Sequence, residues 1–370
     1  MRIETFELER TQSLWENTVE FNLTETGIHP YTLRELLAEA EIEKLLTLRL
    51  GYGQTNGSVA LREAIARLYP GADPANVLVT NGSAEANFVA MWSNLEPGDE
   101  LVLMLPNYMQ IWGLARSFGV AVKPFHLKEE LNWQPDLEEL EDQISLRTKM
   151  IAVCNPNNPT GAVLSAEAMQ AIVRLASKVG AWLYVDEIYR GAELQGEETA
   201  TFWGLYDKVM VCCGLSKAYA LPGLRIGWLV GPSKTIEKGW AYHDYTSITA
   251  GILSNQVAAA VLQPHLRQRV LGRNRSILRE NLAWLTKWVE KQEDRFEFIP
   301  PQAGGMAFLR YAMPINSTEL ATRLRREKSV FIIAGDCFGM DRYVRIGIGA
   351  EKQYLAAGLS LVEAALAELC

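Results

Sequence analysis

Five short apolar runs punctuate the middle of the chain: Val77 to Val79, Leu101 to Leu105, Met150 to Cys154, Trp182 to Val185 and Val209 to Cys213. Each stops at a polar or glycine-bearing turn, and helical patterns fill the intervals. Continuous apolar strands alternating with helices predict an α/β fold with a mostly parallel central sheet and helices on both faces. The turns read T-N-G-S-A-E-A, P-N-Y, N-P-N-N-P-T-G, D-E-I-Y and G-L-S-K. All five follow the carboxyl ends of their strands, where open sheets of this kind place ligands, so the pattern predicts one shared crevice.

Around this block the chain opens with an arm and a polar loop, Leu23 to Pro30, before a helical pattern from Tyr31 to Leu46. Ser58 is placed to cap a helix whose apolar face is Val59, Leu61, Ile65 and Leu68. A long amphipathic helix is predicted from about Leu266 to Val289, serving core packing. The remaining segments alternate strand and helix patterns, as in a smaller α/β domain. The expected division is a large domain over 47–265 and a small domain built from 1–46 and 266–370.

Composition narrows the partners. A chain of 370 residues with 48% hydrophobic content can bury a sizeable core. A net charge of −8 without a basic tract argues against nucleic acid or an anionic membrane surface. No apolar run is long enough to span a bilayer, and the N-terminus, M-R-I-E-T-F-E-L-E-R, lacks the apolar core of a signal peptide. The odd set Cys154, Cys212, Cys213, Cys337 and Cys370 reads as reduced thiols, most of them buried, in a cytoplasmic protein. Four histidines, none at metal-ligand spacing, leave no metal site, and His29 reads as structural.

The turns carry the candidate chemistry. Lys217 leaves the end of a buried strand, where partial desolvation disfavours the ammonium and frees the amine to form a Schiff base. Arg225, eight residues later, offers a planar fork for phosphate. An exposed loop lysine and a surface arginine are the plainer reading of the pair. Gly82, Ser83 and Ala84 open a helix and make a phosphate cradle at its positive end, or an ordinary helix cap. Tyr108 offers a stacking face or a core ring. The turn at Asn157 and Asn158 can aim one amide inward, and Tyr189 can present its phenol to the same space. Asp186 ends an apolar run, where an unpaired carboxylate is costly, so a cationic partner is expected. Gly27 allows close backbone approach or a plain turn. Tyr52 lies in a loop bounded by Gly51, Gly53 and Gly57, and the aromatics and hydroxyls of Trp240 to Gly251 are candidates to line the site. Arg345, in Y-V-R-I-G-I-G, sits in a strand-like run that is an expensive place for a lone guanidinium.

Together these parts suit a phosphorylated aromatic aldehyde with a ring nitrogen, which is pyridoxal 5′-phosphate. The motifs S-K-x-x-x-x-P-G-x-R-x-G, N-P-N-N-P-T-G and D-E-x-Y resemble those of the class I/II, fold-type-I aminotransferases of the aspartate aminotransferase type. The resemblance runs from roughly Tyr52 to Gly349. It implies that Lys217 is the Schiff-base lysine, that Asp186 pairs with the cofactor's ring nitrogen, and that Asn158 and Tyr189 bond its ring hydroxyl. It further implies that Tyr108 stacks on the ring and that Gly82, Ser83, Ala84, Ser216 and Arg225 form the phosphate site. Tyr52 would reach that phosphate from the partner subunit of a homodimer. Arg345 would grip the substrate α-carboxylate, with Asn158 and Gly27 beside it. The implied reaction is transamination between an L-amino acid and a 2-oxo acid.

One position departs from the pattern: many members carry a serine three residues before the lysine, where this chain has Gly214. The expectation is a lost hydroxyl contact of about 1 kcal/mol, so that Gly214→Ser tightens cofactor binding. Two other readings stand beside transamination. The loop L-T-E-T-G-I-H-P-Y resembles the N-terminal segment of capreomycidine-synthase-like enzymes, in which the same apparatus supports cyclisation; elimination or replacement belongs with it. A cofactor-sensing regulator is the other, but the family-like region begins too near the N-terminus to leave room for a DNA-binding module.

Overall fold

The computed structural model describes residues 3–292 and 295–368; Cys370 lies outside them. Its centre is an eight-stranded sheet in the spatial order Val77–Asn81, Ile226–Val230, Val209–Gly214, Trp182–Asp186, Thr148–Cys154, Glu100–Leu105, Ala121–Lys128 and Gln134–Pro135. The run from Val209–Gly214 to Ala121–Lys128 is parallel throughout. Ile226–Val230 runs the other way, between Val77–Asn81 and Val209–Gly214, and Gln134–Pro135 is antiparallel at the far edge.

The apolar runs are continuous because both faces of these strands are covered. Leu101, Leu103, Met150, Ala152, Tyr184 and Met210 pack on one side, while Val102, Met104, Ile151, Val153, Val185 and Val211 join the larger core on the other. Alternation along each strand therefore separates two apolar layers instead of an apolar and a polar one. Cys154, Cys212 and Cys213 lie in this interior as free thiols.

A second, four-stranded antiparallel sheet orders Phe296–Glu297, Met306–Tyr311, Tyr343–Gly347 and Ile333–Ala334. The chain's beginning belongs with it in space, because Phe21–Asn22 pairs in parallel with Val330–Phe331. The long helix forms as Pro264–Glu290, starting on a proline whose missing N–H costs nothing in the first turn, and it buries Leu266, Val270, Leu278 and Leu285.

Local chemistry changes three expectations. The pattern from Tyr31 to Leu46 forms two helices, Leu33–Leu36 and Glu39–Leu46. Thr32 and Glu35 close a capping box around the first, Leu37 is extended, and Glu41 reaches back to the Ala38 N–H to start the second. The opening arm is the helix Glu7–Trp15. Ser58 does cap its helix, through the Leu61 N–H, and Leu61 and Ile65 are buried, but Val59 faces solvent.

Candidate active site

The carboxyl ends of five strands converge on a cavity of about 350 Å³. Val77–Asn81 delivers Ser83 and Ala84, Glu100–Leu105 delivers Tyr108, and Thr148–Cys154 delivers Asn158. Trp182–Asp186 ends on Asp186 with Tyr189 just beyond, and Val209–Gly214 leads into Ser216 and Lys217. Arg225 and Arg345 line it as well. The crevice expected from the pattern of runs and turns is present.

One end of the cavity is built for an anion. The helix Ser83–Asn94 starts at Gly82, whose φ of 80° is open to glycine, and a Cβ there would lie 2.4 Å from Arg225 Nη2. A Cβ on Gly227 would lie 2.3 Å from the Ser83 nitrogen, so strand and helix start touch through bare backbone. Arg225 holds a left-handed φ of 52°, and its Nη1 donates to the Pro222 carbonyl at 3.0 Å and approaches Ser216 Oγ at 3.4 Å. First-turn N–H groups, a hydroxyl and a guanidinium meet here, a donor set that suits a phosphate.

At the middle lies Asp186, only 6% exposed. Its carboxylate accepts the Ile188 N–H at 3.0 Å. Burial pushes its titration up to about 6, against hydrogen bonds from Ile188 and Asn87. Among the described residues Asp186 forms no ion pair, so the cationic partner expected from the sequence is not found there. A buried carboxylate facing a cavity is instead matched to a cation that enters it, such as a protonated ring nitrogen. Tyr189 shares a 2.7 Å hydrogen bond with Thr26 Oγ1, and burial raises its phenol above the ordinary range. Tyr108 donates to Glu9 Oε1 at 2.6 Å, and burial with the Glu9 charge raises it likewise. Asn157 is used in the turn itself, accepting from Thr160 and donating to the Pro106 carbonyl, so Asn158 is the inward amide.

Arg345 is 2% exposed, yet its guanidinium meets only neutral acceptors. Nη1 donates to Asn158 Oδ1 and Nη2 to the Thr24 carbonyl, both at 2.9 Å, while Nε has no partner among the described residues. Among the described residues no carboxylate bonds it, and the Glu25 and Glu9 charges act on it only through space, so this buried guanidinium suits an arriving anion. Lys217 Nζ lies 3.4 Å from Glu25 Oε2.

Of the N-terminal contribution, the sequence pointed to the Leu23 to Pro30 loop but not to the helix Glu7–Trp15. Leu8, Glu9, Gln12, Glu16, Glu25 and Thr26 all line the cavity. Backbone crowding explains how the segment reaches the site: a Cβ on Gly347 would lie 2.0 Å from the Glu25 carbonyl oxygen, on Gly305 2.6 Å from that of Thr26, and on Gly349 1.8 Å from that of Gly27. The glycines of G-G and R-I-G-I-G were the available signal. Gly27 itself sits against the lysine, a Cβ there lying 3.1 Å from the Ser216 carbonyl and 3.8 Å from Lys217 Cδ.

Some candidates stand apart. Tyr52 is 87% exposed and outside the cavity. The segment from Trp240 to Gly251 does not line it; Thr246, Ser247 and His243 are engaged with Glu85, and Tyr245 faces solvent. Gly214 reverses the earlier expectation. A Cβ there would lie 2.8 Å from the Ile226 carbonyl oxygen and 3.0 Å from Gly227 Cα, so a serine meets backbone before its hydroxyl meets any ligand.

The sequence profile described as aminotransferase class I and II matches residues 26–359. Capreomycidine synthase of Streptomyces vinaceus is 30% identical over 349 residues, covering 92% of this chain and 88% of that protein. A PLP-dependent aminotransferase from Streptococcus suis 89-1591 superposes with a TM-score of 0.94 at 34% identity, over 100% of this chain and 99% of that one. The PLP-dependent cyclase OrfR superposes with a TM-score of 0.90 at 25% identity, over 100% and 99%. The profile match over most of the chain, on a fold-type-I architecture, shows that the protein belongs to the class I and II aminotransferase family, whose cofactor is pyridoxal 5′-phosphate.

Proposed function

We propose that the protein is an aminotransferase that moves an amino group between an L-amino acid and a 2-oxo acid. The observation that carries this reading is the meeting, in one cavity, of the Lys217 amine, the buried Asp186 carboxylate and the partly unsatisfied Arg345 guanidinium.

When bound, pyridoxal phosphate supplies an aldehyde for an amine and a ring that takes up the electron pair released at the substrate α-carbon. The Ser83 and Ala84 N–H groups, the Ser83 and Ser216 hydroxyls and Arg225 would hold its phosphate. Asp186 would face the ring nitrogen, Asn158 and Tyr189 the ring hydroxyl, and Tyr108 the ring face. Arg345 takes the substrate carboxylate in its fork, oriented by Asn158 and the Thr24 carbonyl. With the carboxylate so held, the Lys217 amine in the same cavity would serve as the general base for the α-proton and would return it later.

The same reading takes 47–265 as the cofactor-binding domain and 1–46 with 266–370 as the small domain. It also takes the chain as a cytoplasmic homodimer with shared sites, in which Tyr52 of a second copy reaches the phosphate. Support for association comes from the exposed Leu46, Leu50 and Tyr52 and, nearby, Tyr245, Ile248 and Leu253. Thr249 Oγ1 donates to the Gln54 carbonyl, so the chain beside Tyr52 touches the chain beside Ile248.

Cyclisation or elimination is the second reading. It is favoured by the likeness to capreomycidine synthase and OrfR, and by Glu25, which sets a carboxyl beside the Lys217 amine where it could serve a leaving group. Product analysis separates the two. Transamination yields a 2-oxo acid and pyridoxamine phosphate in a single turnover; ammonia or a ring-closed amino acid without pyridoxamine phosphate overturns it.

A further inference from the structure

We infer that Asn87 is a positioning residue for the cofactor, whose side-chain amide holds the Asp186 carboxylate ionised and aimed at the ring nitrogen. The inference rests on the reading of Asp186 given above, and it adds to that site a residue that none of the motifs marked. Asn87 lies four residues after Ser83 in the helix Ser83–Asn94, so the two share a face, and both line the cavity. Ser83 stands at the helix start with the phosphate donors. Asn87, one turn further in and 1% exposed, reaches Asp186.

A buried amide needs partners for its oxygen and for both of its N–H bonds, and here a single backbone carbonyl fixes every orientation. The Ala84 carbonyl can only accept, so Gln110 presents Nε2 to it at 2.9 Å. The Gln110 oxygen is thereby turned to Asn87, whose Nδ2 donates to it at 2.9 Å. Asn87 Oδ1 in turn accepts the Tyr184 hydroxyl, which burial keeps protonated. One N–H of Asn87 is left, and it serves the Asp186 carboxylate. Together with the Ile188 N–H, at 3.0 Å, it makes up the donor set of that carboxylate among the described residues. The Cys154 and Cys212 thiols, on the neighbouring strands, are held neutral by burial.

Both donors favour the ionised carboxylate, whereas burial favours the neutral acid. Removing the Asn87 amide takes away one of the two and leaves the Gln110 oxygen and the Tyr184 hydroxyl without their partner. The balance at Asp186 then moves toward the neutral acid. A neutral acid no longer keeps a proton on a ring nitrogen set against it, so the protonation of the bound cofactor's ring reports directly on Asn87.

The test is nitrogen NMR, at neutral pH, of the full chain loaded with pyridoxal phosphate isotopically labelled at the ring nitrogen, whose signal separates the protonated from the unprotonated ring. Asn87→Ala should move the signal from the protonated position toward the unprotonated one. Tyr184→Phe keeps the ring of that side chain and removes only the hydroxyl that orients the amide, so it should move the signal the same way by less. Folding and cofactor uptake are checked by circular dichroism and absorbance; a merely structural role lowers Tm and leaves the signal of the folded, loaded protein in place. A signal unmoved in Asn87→Ala overturns the inference. Where that variant does not fold or load, a signal unmoved in Tyr184→Phe overturns it. Asp186→Ala separates the two levels: a signal unmoved there overturns the placing of Asp186 at the ring nitrogen, and the inference with it.

Discussion

The Lys217 ammonium and the Glu25 carboxylate lie 3.4 Å apart, an ion pair between residues separated by 192 positions in the chain. Glu25 is held below the ordinary carboxyl range chiefly by Lys217, against the cost of burial, with Arg345 adding to the effect. The pair ties the N-terminal loop to the residue on which the chemistry depends.

Glu25→Gln removes an ion pair that stabilises the cofactor-free fold while the Glu25 carboxyl is ionised. The Tm of the variant is expected to lie below that of the unaltered protein near neutral pH, and the difference to close as pH falls through the lowered range of the Glu25 carboxyl. Equal Tm values near neutral pH, or a difference that persists in acid, contradict this role.

Asp186 makes the cofactor-free fold sensitive to pH. The unfolded carboxyl titrates near 3.8 and the folded one at about 6, so the unfolded chain releases its proton first as pH rises. Stability falls between these values and stays lower above them, by on the order of 3 kcal/mol. Asp186→Asn should remove that fall, raising the Tm of the cofactor-free protein near neutral pH while weakening cofactor binding. Glu187 is raised to about 7 by burial, so part of the dependence persists in the variant. An unchanged Tm–pH curve would sink the assignment.

Gly214→Ser is expected to lower both Tm and cofactor affinity, because its Cβ lies 2.8 Å from the Ile226 carbonyl. Overpacking of this kind costs about 1–3 kcal/mol. Tighter cofactor binding in an equilibrium titration would show that the strand yields.

Arg345→Lys keeps the charge but cannot span Asn158 Oδ1 and the Thr24 carbonyl while holding a carboxylate. Steady-state kinetics should show KM raised by roughly tenfold or more, with cofactor occupancy retained. An unchanged KM places the substrate carboxylate elsewhere.

The strand ends were legible because strands covered on both faces must be continuously apolar, and their turns advertise themselves by glycine, proline and asparagine. Ser83, Tyr108, Asn158, Asp186, Tyr189 and Lys217 were found that way, and the cavity contains them all. The acidic wall was not legible. Glu9 and Glu16 look like surface charges on an N-terminal helix until that helix is laid over the site, and what brings it there is remote: the pairing of Phe21–Asn22 with Val330–Phe331 and the glycines that admit residues 25–27. Gly214 was misread for the same reason. A motif shows a missing hydroxyl, whereas the Ile226 carbonyl that forbids it comes from the neighbouring strand.

Every role proposed for the site depends on Lys217 as the residue to which the cofactor binds covalently. The most direct measurement is borohydride reduction of the protein with pyridoxal phosphate, followed by peptide mass spectrometry. A phosphopyridoxyl group on the peptide containing Lys217, and none in Lys217→Ala, is the predicted result. No adduct, or one on another lysine that persists in the variant, would contradict it.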